Sequence, residues 1–247
     1  MTPPPLAVDR TRLLFMSLPY PIRRILWLSS AKRKRALSLA LRGEHASLNL
    51  KPYLKNKCLF IHIPKVAGNS IRSSIGGEPN GGHHSYLEFE HMLGRDVVNR
   101  LGCFSVVRNP WSRLFSAYNY LRNGGMGEGD AKFSAIIGRH GSFQDFVHTF
   151  PENLGYTRML HFIPQYRFIC NGSGDLMVEK LGKYERLEDD IKDIFDHFQI
   201  PFGGLPHENK TSGMEKEDYR NAYDSEMIEI VRSIYSKDCE MFGYDFE

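Results

Sequence analysis

The sequence predicts an α/β domain in which helices cover both faces of a central parallel sheet, giving three layers. Two short apolar runs, Cys58–Ile61 and Cys103–Val107, have the length and character of buried strands. Each run is followed by a segment with helix signals, and strands that alternate with helices favour parallel pairing. The chain has 247 residues, of which 41% are hydrophobic, which is enough for one sizeable core.

The clearest helix follows the second apolar run. Asn109 is a favourable N-cap, and Pro110 is a favourable first helical residue. Apolar residues then recur at helical spacing, at Trp111, Leu114, Phe115, Tyr118 and Leu121. The glycines of residues 124–129 are predicted to end this helix in a flexible loop.

The later part of the chain continues the alternation of elements. Ser142 can cap a short helix. Residues 176–184 favour a further strand, and residues 187–198 favour a helix that stops before Pro201. A terminal helix is predicted over residues 225–242.

Residues 1–56 differ in composition from the rest, so we predict a basic, partly apolar N-terminal extension followed by one domain over residues 57–247. The extension carries two basic clusters, Arg23-Arg24 and Lys32–Arg35, with apolar pieces between and after them. Two interpretations stay open: surface helices packed on the domain with a solvated basic face, or a basic amphipathic segment that contacts an anionic membrane.

Charge, hydropathy and cysteine content limit the partners and the location that the sequence predicts. The chain has 32 basic and 29 acidic residues, so an anion site must be local and no nucleic-acid partner is predicted. No apolar run reaches the roughly 18 residues of a membrane-spanning helix, and the N-terminus is not typical of a signal peptide. Four widely separated cysteines favour a reducing compartment. We therefore expect a cytoplasmic protein, with peripheral membrane contact through the extension as an open alternative.

The segment from residue 62 to residue 70 has the features of a phosphate-binding turn between a strand and a helix. Free amide groups at a helix start favour an oxyanion, and Gly68 lets the backbone approach it closely. Lys65 adds a positive charge and Ser70 a hydroxyl. Because Lys65 precedes the glycine, the order differs from the G-x-x-x-x-G-K-[ST] of nucleoside triphosphatases. A turn with an exposed lysine is the alternative interpretation.

A second anion site is indicated after the second strand. Arg108 follows that strand, at the edge where open α/β sheets bind ligands. Ser116 lies on the next helix, on a different face from the apolar stripe. A guanidinium and a hydroxyl can together hold a second phosphate. An ion pair at the strand end is the alternative role for Arg108.

Together these segments resemble the carbohydrate sulfotransferases that use 3′-phosphoadenosine-5′-phosphosulfate (PAPS). Ile61–Ser70 is similar to their 5′-phosphosulfate loop, and Val106–Tyr118 is similar to their 3′-phosphate motif. The resemblance continues at residues 183–190, 205–212 and 242–244. It implies a three-layer domain of the P-loop type and transfer of the sulfuryl group of PAPS to a hydroxyl, expected to belong to a carbohydrate.

The resemblance also implies the residues that bind the donor. They are Lys65, Gly68, Asn69, Ser70, Arg108, Ser116, Asn209, Lys210, Thr211 and Ser212. Lys65 would contact the bridging and sulfuryl oxygens, the Arg108/Ser116 pair the 3′-phosphate, and the loop of residues 209–212 would close over the nucleotide. Val66 departs from the family, which usually has Thr at this position.

The base is expected in residues 81–89, where two glycines precede two histidines. Sulfuryl transfer is an in-line displacement in which the acceptor hydroxyl loses a proton and charge builds on the leaving phosphate oxygen. The stretch resembles the catalytic-histidine segment of the heparan sulfate 2-O-sulfotransferase branch, and this register makes His83 the general base. His84 and Glu88 are alternative bases. Residues 124–141 and 155–165 are expected to form the acceptor pocket.

No metal is expected, because the sequence has no H-x-x-x-H pattern or Cys/His ligand cluster. Two other function classes stay open. A P-loop nucleotide kinase or NTPase would need Mg-ATP, which the position of Lys65 argues against. A non-catalytic protein that binds a nucleotide or a glycan would need no base beside the ligand, whereas the sequence offers His83 and His84.

Overall fold

The computed structural model describes residues 18–45, 48–77, 82–126, 128–206 and 218–246. These ranges form a mixed α/β structure with a small parallel sheet of three strands. The strands are β1 (Leu59–Ile61), β2 (Cys103–Val107) and β3 (Lys180–Lys183). Short 3-10 helices are found at Leu154–Arg158, Leu160–Phe162, Tyr184–Arg186 and Tyr219–Ala222. The α-helices are α1 (Tyr20–Ser29), α2 (Ala31–Arg42), α3 (Lys51–Asn56), α4 (Gly68–Ser74), α5 (Tyr86–Leu93), α6 (Arg95–Leu101), α7 (Pro110–Arg122), α8 (Glu128–Ile137), α9 (Phe143–His148), α10 (Tyr166–Ile169), α11 (Leu187–His197), α12 (Ser225–Ile234) and α13 (Ser236–Phe242).

Strand β2 lies at the centre of the sheet and pairs in parallel with both neighbours. Leu59 is in register with Cys103 on one side, and Phe104 is in register with Lys180 on the other. Every residue of β1 and β2 is buried, as expected for parallel strands inside an α/β core. Because all three strands run the same way, the loops that follow them open at one edge of the sheet.

Helix α7 confirms the prediction from the helix signals. It begins at Pro110, and the Asn109 side chain accepts hydrogen bonds from the backbone amides of Trp111 at 3.1 Å and Ser112 at 3.3 Å. The apolar stripe of this helix is buried in a second hydrophobic cluster beside the sheet core. The cap therefore fixes where the chain leaves β2 and turns into the helix.

Two sequence predictions were wrong in detail. The predicted loop of residues 124–129 overlaps the start of α8, which begins at Glu128 and supplies the buried Asp130. The terminal helix is interrupted at Tyr235, whose buried hydroxyl donates a hydrogen bond of 2.9 Å to the Phe162 carbonyl. In both cases contacts with distant residues override the local signal.

Helix α1 packs on α5, and α2 packs on α1 and α3. The Tyr20 hydroxyl donates to the Glu90 carbonyl at 3.2 Å and accepts from the Arg95 amide at 2.9 Å. Trp27 and Leu37 contact the main hydrophobic core. None of the helices in the described ranges has the length and apolar character that crossing a membrane requires.

Candidate active site

The turn after β1 has an unusual backbone. Lys65 and Ala67 have φ angles of 73° and 62°, in the left-handed region, and α4 then begins at Gly68. Within the described ranges, the amide groups of Ala67, Gly68 and Ser70 donate to no protein acceptor. The turn therefore brings unpaired amide donors and the Lys65 side chain into one short segment, as the sequence predicted.

Gly68 is required for a reason that the sequence did not reveal. A Cβ atom at this position would lie 1.7 Å from Nε2 of His62, so the imidazole of His62 packs directly on the glycine backbone. His62 is buried, and its Nδ1 accepts a 3.0 Å hydrogen bond from Arg72. Val66 is fully buried in the core, so its side chain contributes packing.

Lys65 lies on an aromatic ring that other residues hold in place. Its Nζ is 4.0 Å from the centroid of the Tyr120 ring, and the Tyr120 hydroxyl donates a 2.5 Å hydrogen bond to Asp130. Burial, and then the charge of Arg108, lowers the pKa of Lys65 to about 8, while Asp130 acts in the opposite direction. The ammonium group is thus held beside a fixed ring and is easier to deprotonate than an ordinary lysine.

Arg108 joins the turn after β1 to the turn after β2. Its Nη1 donates a 3.1 Å hydrogen bond to the Lys65 carbonyl, and its guanidinium lies 4.0 Å from the Tyr184 ring centroid. In the part of the chain that the structure describes, neither Lys65 nor Arg108 forms an ion pair with a carboxylate. Burial lowers the pKa of Arg108, which nevertheless stays charged. Two neighbouring cations that form no ion pair in the described ranges favour an anionic ligand.

The Ser112 hydroxyl contacts Arg108, and the implied role of Ser116 at the 3′-phosphate stays a prediction. Nε of Arg108 donates a 2.9 Å hydrogen bond to Ser112, four residues along the chain. The described structure has no direct hydrogen bond between Arg108 and Ser116. The guanidinium bends back onto the first turn of α7, which brings Ser112 within reach while Ser116 lies one turn further on.

The backbone at Arg108 is fixed by residues far away in the sequence. The Gln165 side chain accepts from the Arg108 amide at 2.9 Å and donates to the Arg108 carbonyl at 2.8 Å. Glu185, just after β3, accepts from the Asn109 amide at 2.7 Å and from the Tyr244 hydroxyl at 2.8 Å. The segments of residues 183–190 and 242–244 therefore converge beside Arg108, and sequence reasoning missed Gln165 because nothing local marks it.

His83 has a defined hydrogen-bonding state. Its Nδ1 lies 3.0 Å from the His62 carbonyl oxygen. Because a carbonyl only accepts hydrogen bonds, Nδ1 carries the proton, and Nε2 of the neutral ring carries the lone pair. Burial lowers the pKa of His83 to about 4, against the opposing effect of this hydrogen bond. His83 is therefore neutral near pH 7, the state that a proton acceptor needs.

The two alternative bases have other contacts. The His84 ring packs against Phe89 at a centroid distance of 5.8 Å, and its buried Nε2 has no partner in the described ranges. Glu88 is exposed and accepts from the Ser85 amide at 2.8 Å, which closes a capping box at the start of α5. The predicted nucleotide-closing residues 209–212 lie outside the described residues.

A second buried imidazole, His161, was missed by sequence reasoning. Its Nε2 lies 2.9 Å from Asp130, so Nε2 donates, and its Nδ1 has no partner in the described ranges. The His161 ring centroid is 5.1 Å from that of Tyr120 and 6.4 Å from that of His83. The rings of Tyr120 and His161 therefore lie in succession between the Lys65 ammonium group and the ring of His83, the expected base. No sequence signal marks the pairing of Asp130 with His161, which lie 31 positions apart.

Two cations at the carboxyl edge of a parallel sheet, which form no ion pair in the described ranges, together with a neutral imidazole, are features typical of an enzyme that transfers a group. The model of the sulfotransferase family matches residues 54–245, and the chain belongs to this family. No curated protein and no solved structure matches the chain. Membership supports sulfotransfer as the activity. Among the described residues, no group of three or more His, Cys, Asp or Glu side chains is arranged to hold a metal ion.

Proposed function

We propose that this protein transfers the sulfuryl group of PAPS to a carbohydrate hydroxyl on a three-layer domain of the P-loop type. The observation that carries the proposal is the hydrogen bond from the Arg108 guanidinium to the Lys65 carbonyl. This hydrogen bond joins the turn after β1 to the turn after β2. Each turn contributes a cation that forms no ion pair in the described ranges. PAPS has two separate anionic groups, the 5′-phosphosulfate and the 3′-phosphate, and such a pair of cations suits it.

The donor would be held by the turn after β1 and the start of α7. Lys65 neutralises the charge that develops on the leaving phosphate oxygen, because a fixed cation at that oxygen lowers the barrier. Gly68, Asn69 and Ser70 contact the 5′-phosphate. Arg108 and the Ser116 hydroxyl on α7 bind the 3′-phosphate, and residues 209–212 close over the nucleotide.

His83 would act as the base. Its Nε2 takes the proton of the acceptor hydroxyl as the hydroxyl oxygen forms a bond to sulfur. The bond between sulfur and the bridging phosphate oxygen breaks, and adenosine 3′,5′-bisphosphate leaves with the electron pair. The proton then passes from the imidazolium to solvent. The negative charge of a bound donor raises the pKa of the imidazole above its value in the free protein, which strengthens the base.

The pH dependence of kcat/KM is expected to be bell-shaped, because the two proposed groups must be in opposite charge states. His83 must be neutral, so activity falls as the pH drops through about 4, the pKa of this ring. Lys65 must be protonated, so activity falls as the pH rises through about 8. Initial rates at low substrate concentration measure this profile.

Two variants identify the group behind the alkaline limb. Asp130→Asn removes a negative charge that raises the pKa of Lys65, so this limb should move to lower pH. The arginine in the Lys65→Arg variant stays protonated throughout this pH range, so the residual activity of the variant should not fall at alkaline pH. An alkaline limb that is the same in all three proteins contradicts the role of Lys65.

Calorimetric titration with adenosine 3′,5′-bisphosphate, ADP and Mg-ATP tests the donor site directly. We expect selective binding of the 3′-phosphorylated nucleotide, and at 100 times its Kd a gain of about 2.7 kcal/mol in the free energy of unfolding. A preference for Mg-ATP would instead favour a kinase or another NTPase. Absence of nucleotide binding would favour a non-catalytic glycan-binding protein.

A cytoplasmic location is proposed from the cysteines. All four are free thiols, and three of them are buried. Unpaired thiols suit a reducing compartment. The proposed partner is a carbohydrate acceptor, with no nucleic acid.

A further inference from the structure

Helix α1 exposes an apolar stripe that no described residue covers. Ile22, Ile25 and Leu26 are 46%, 67% and 46% exposed. Their spacing of three and four residues puts them on one face of the helix. Large exposed apolar side chains that lie singly on a surface need no explanation, but a stripe of three on one short helix does.

The charge of this region is segregated from the rest of the chain. Residues 18–43 have seven basic residues and no acidic residue, although the whole chain has 32 basic and 29 acidic residues. The remainder therefore has 25 basic and 29 acidic residues and is net acidic. The basic residues of the segment are Arg23, Arg24, Lys32, Arg33, Lys34, Arg35 and Arg42.

The main basic cluster follows the stripe directly along the chain. The exposed residues Lys32–Arg35 open α2, immediately after α1 ends. The Arg33 guanidinium lies 5.5 Å from the Trp27 ring centroid, which ties the start of α2 to the last turn of α1. Trp27 also contacts the main core, so the two helices are attached to the domain. None of these four basic residues forms an ion pair in the described ranges.

We propose that α1 and α2 bind the surface of an anionic phospholipid bilayer. Ile22, Ile25 and Leu26 insert at the boundary between headgroups and acyl chains, and the basic cluster contacts the anionic headgroups. Such a bilayer supplies apolar and anionic groups together. A second copy of this chain would bring two basic surfaces together, and a nucleic acid would leave the apolar stripe in water. The proposal does not depend on the sulfuryl-transfer activity.

Sedimentation of the full-length protein with vesicles tests the proposal. Phosphatidylcholine vesicles that contain phosphatidylserine should bind the protein, with a partition coefficient that falls as salt is added. Pure phosphatidylcholine vesicles should bind it much more weakly. No binding to the anionic vesicles, or equal binding to both kinds, would overturn the proposal.

Matched pairs of variants distinguish the contribution of the stripe and of the basic cluster from a general effect of changing surface residues. The double variant Ile25→Ser/Leu26→Ser should lower the partition coefficient about tenfold, whereas Leu154→Ser/Leu176→Ser, at two exposed leucines elsewhere, should leave it unchanged. Lys32→Glu/Lys34→Glu should lower it, whereas Lys132→Glu/Lys192→Glu should not.

Equal effects of the test and control pairs would overturn the proposal. Analytical ultracentrifugation gives a second test. If the unmodified protein is a dimer and the Ile25→Ser/Leu26→Ser variant is a monomer, a second copy covers the stripe and the proposal is overturned. Binding of adenosine 3′,5′-bisphosphate should be the same in all of these proteins, so the result is independent of the proposed function.

Discussion

The His83→Ala variant is expected to turn over roughly 10²–10⁴ times more slowly than the unmodified protein, the range typical of losing a general base. Its affinity for adenosine 3′,5′-bisphosphate should stay nearly unchanged. The hydrogen bond of Nδ1 to the His62 carbonyl fixes the ring and leaves the lone pair on Nε2, so alanine removes the proton acceptor. Single-turnover rates with PAPS and a hydroxyl acceptor, together with calorimetry, measure both quantities.

Two further variants distinguish a catalytic from a structural role. His83→Asn keeps an amide that can donate to the His62 carbonyl but has no basic nitrogen, so it should be as slow as His83→Ala. His84→Ala is the matched control, because His84 packs against Phe89, and it should keep most of the activity. If the asparagine variant recovers the rate, or if the His84 variant alone loses it, His83 is not the base.

The Arg108→Ala variant is expected to bind adenosine 3′,5′-bisphosphate about 10- to 100-fold more weakly, because hydrogen bonds to a charged group contribute about 1.5–3 kcal/mol. Binding of ADP, which lacks the 3′-phosphate, should change much less. The loss should therefore reduce the preference for the 3′-phosphorylated nucleotide, which parallel titrations with the two ligands measure. An unchanged preference would contradict the assignment.

The control for this variant must exclude a general disturbance of α7. The Arg122 guanidinium lies at the exposed end of the same helix and, among the described residues, donates to the carbonyls of Gly138 and His140. Arg122→Ala should keep the nucleotide preference. Thermal unfolding of both variants checks that the fold is intact, and loss of ADP binding by Arg108→Ala would indicate a structural role for Arg108.

Much of the framework was predictable because its signals are local. The two apolar runs became β1 and β2, and the third predicted strand region contains β3. Asn109 and Pro110 start α7 as predicted, since a cap and its helix are separated by only a few residues. Parallel pairing follows from the alternation of strands and helices. It brings Lys65 and Arg108 to the same edge, where the Arg108 guanidinium contacts the Lys65 backbone.

Other parts of the site were not predictable, because they depend on packing between distant segments. The resemblance implied Ser116 as a ligand of the 3′-phosphate beside Arg108, which stays a prediction, whereas the contact of Ser112 with Arg108 was not predicted. Gly68 was expected to make room for a phosphate, and it also makes room for the His62 ring. Local propensity carries no information about which side chains meet across the core.

The three strands, the helix after β2, the two cation-bearing turns and the pair of histidines between them were predictable from the sequence alone. Each of these is marked within about ten neighbouring residues by periodicity, caps and charge. The folded structure was needed to find that Asp130 holds His161 and Tyr120, that Gln165 fixes the backbone of Arg108, and that Nε2 of His83 carries the lone pair. These contacts join residues 10 to 57 positions apart, and they form only once the helices pack around the sheet and bury their polar groups, which must then find partners.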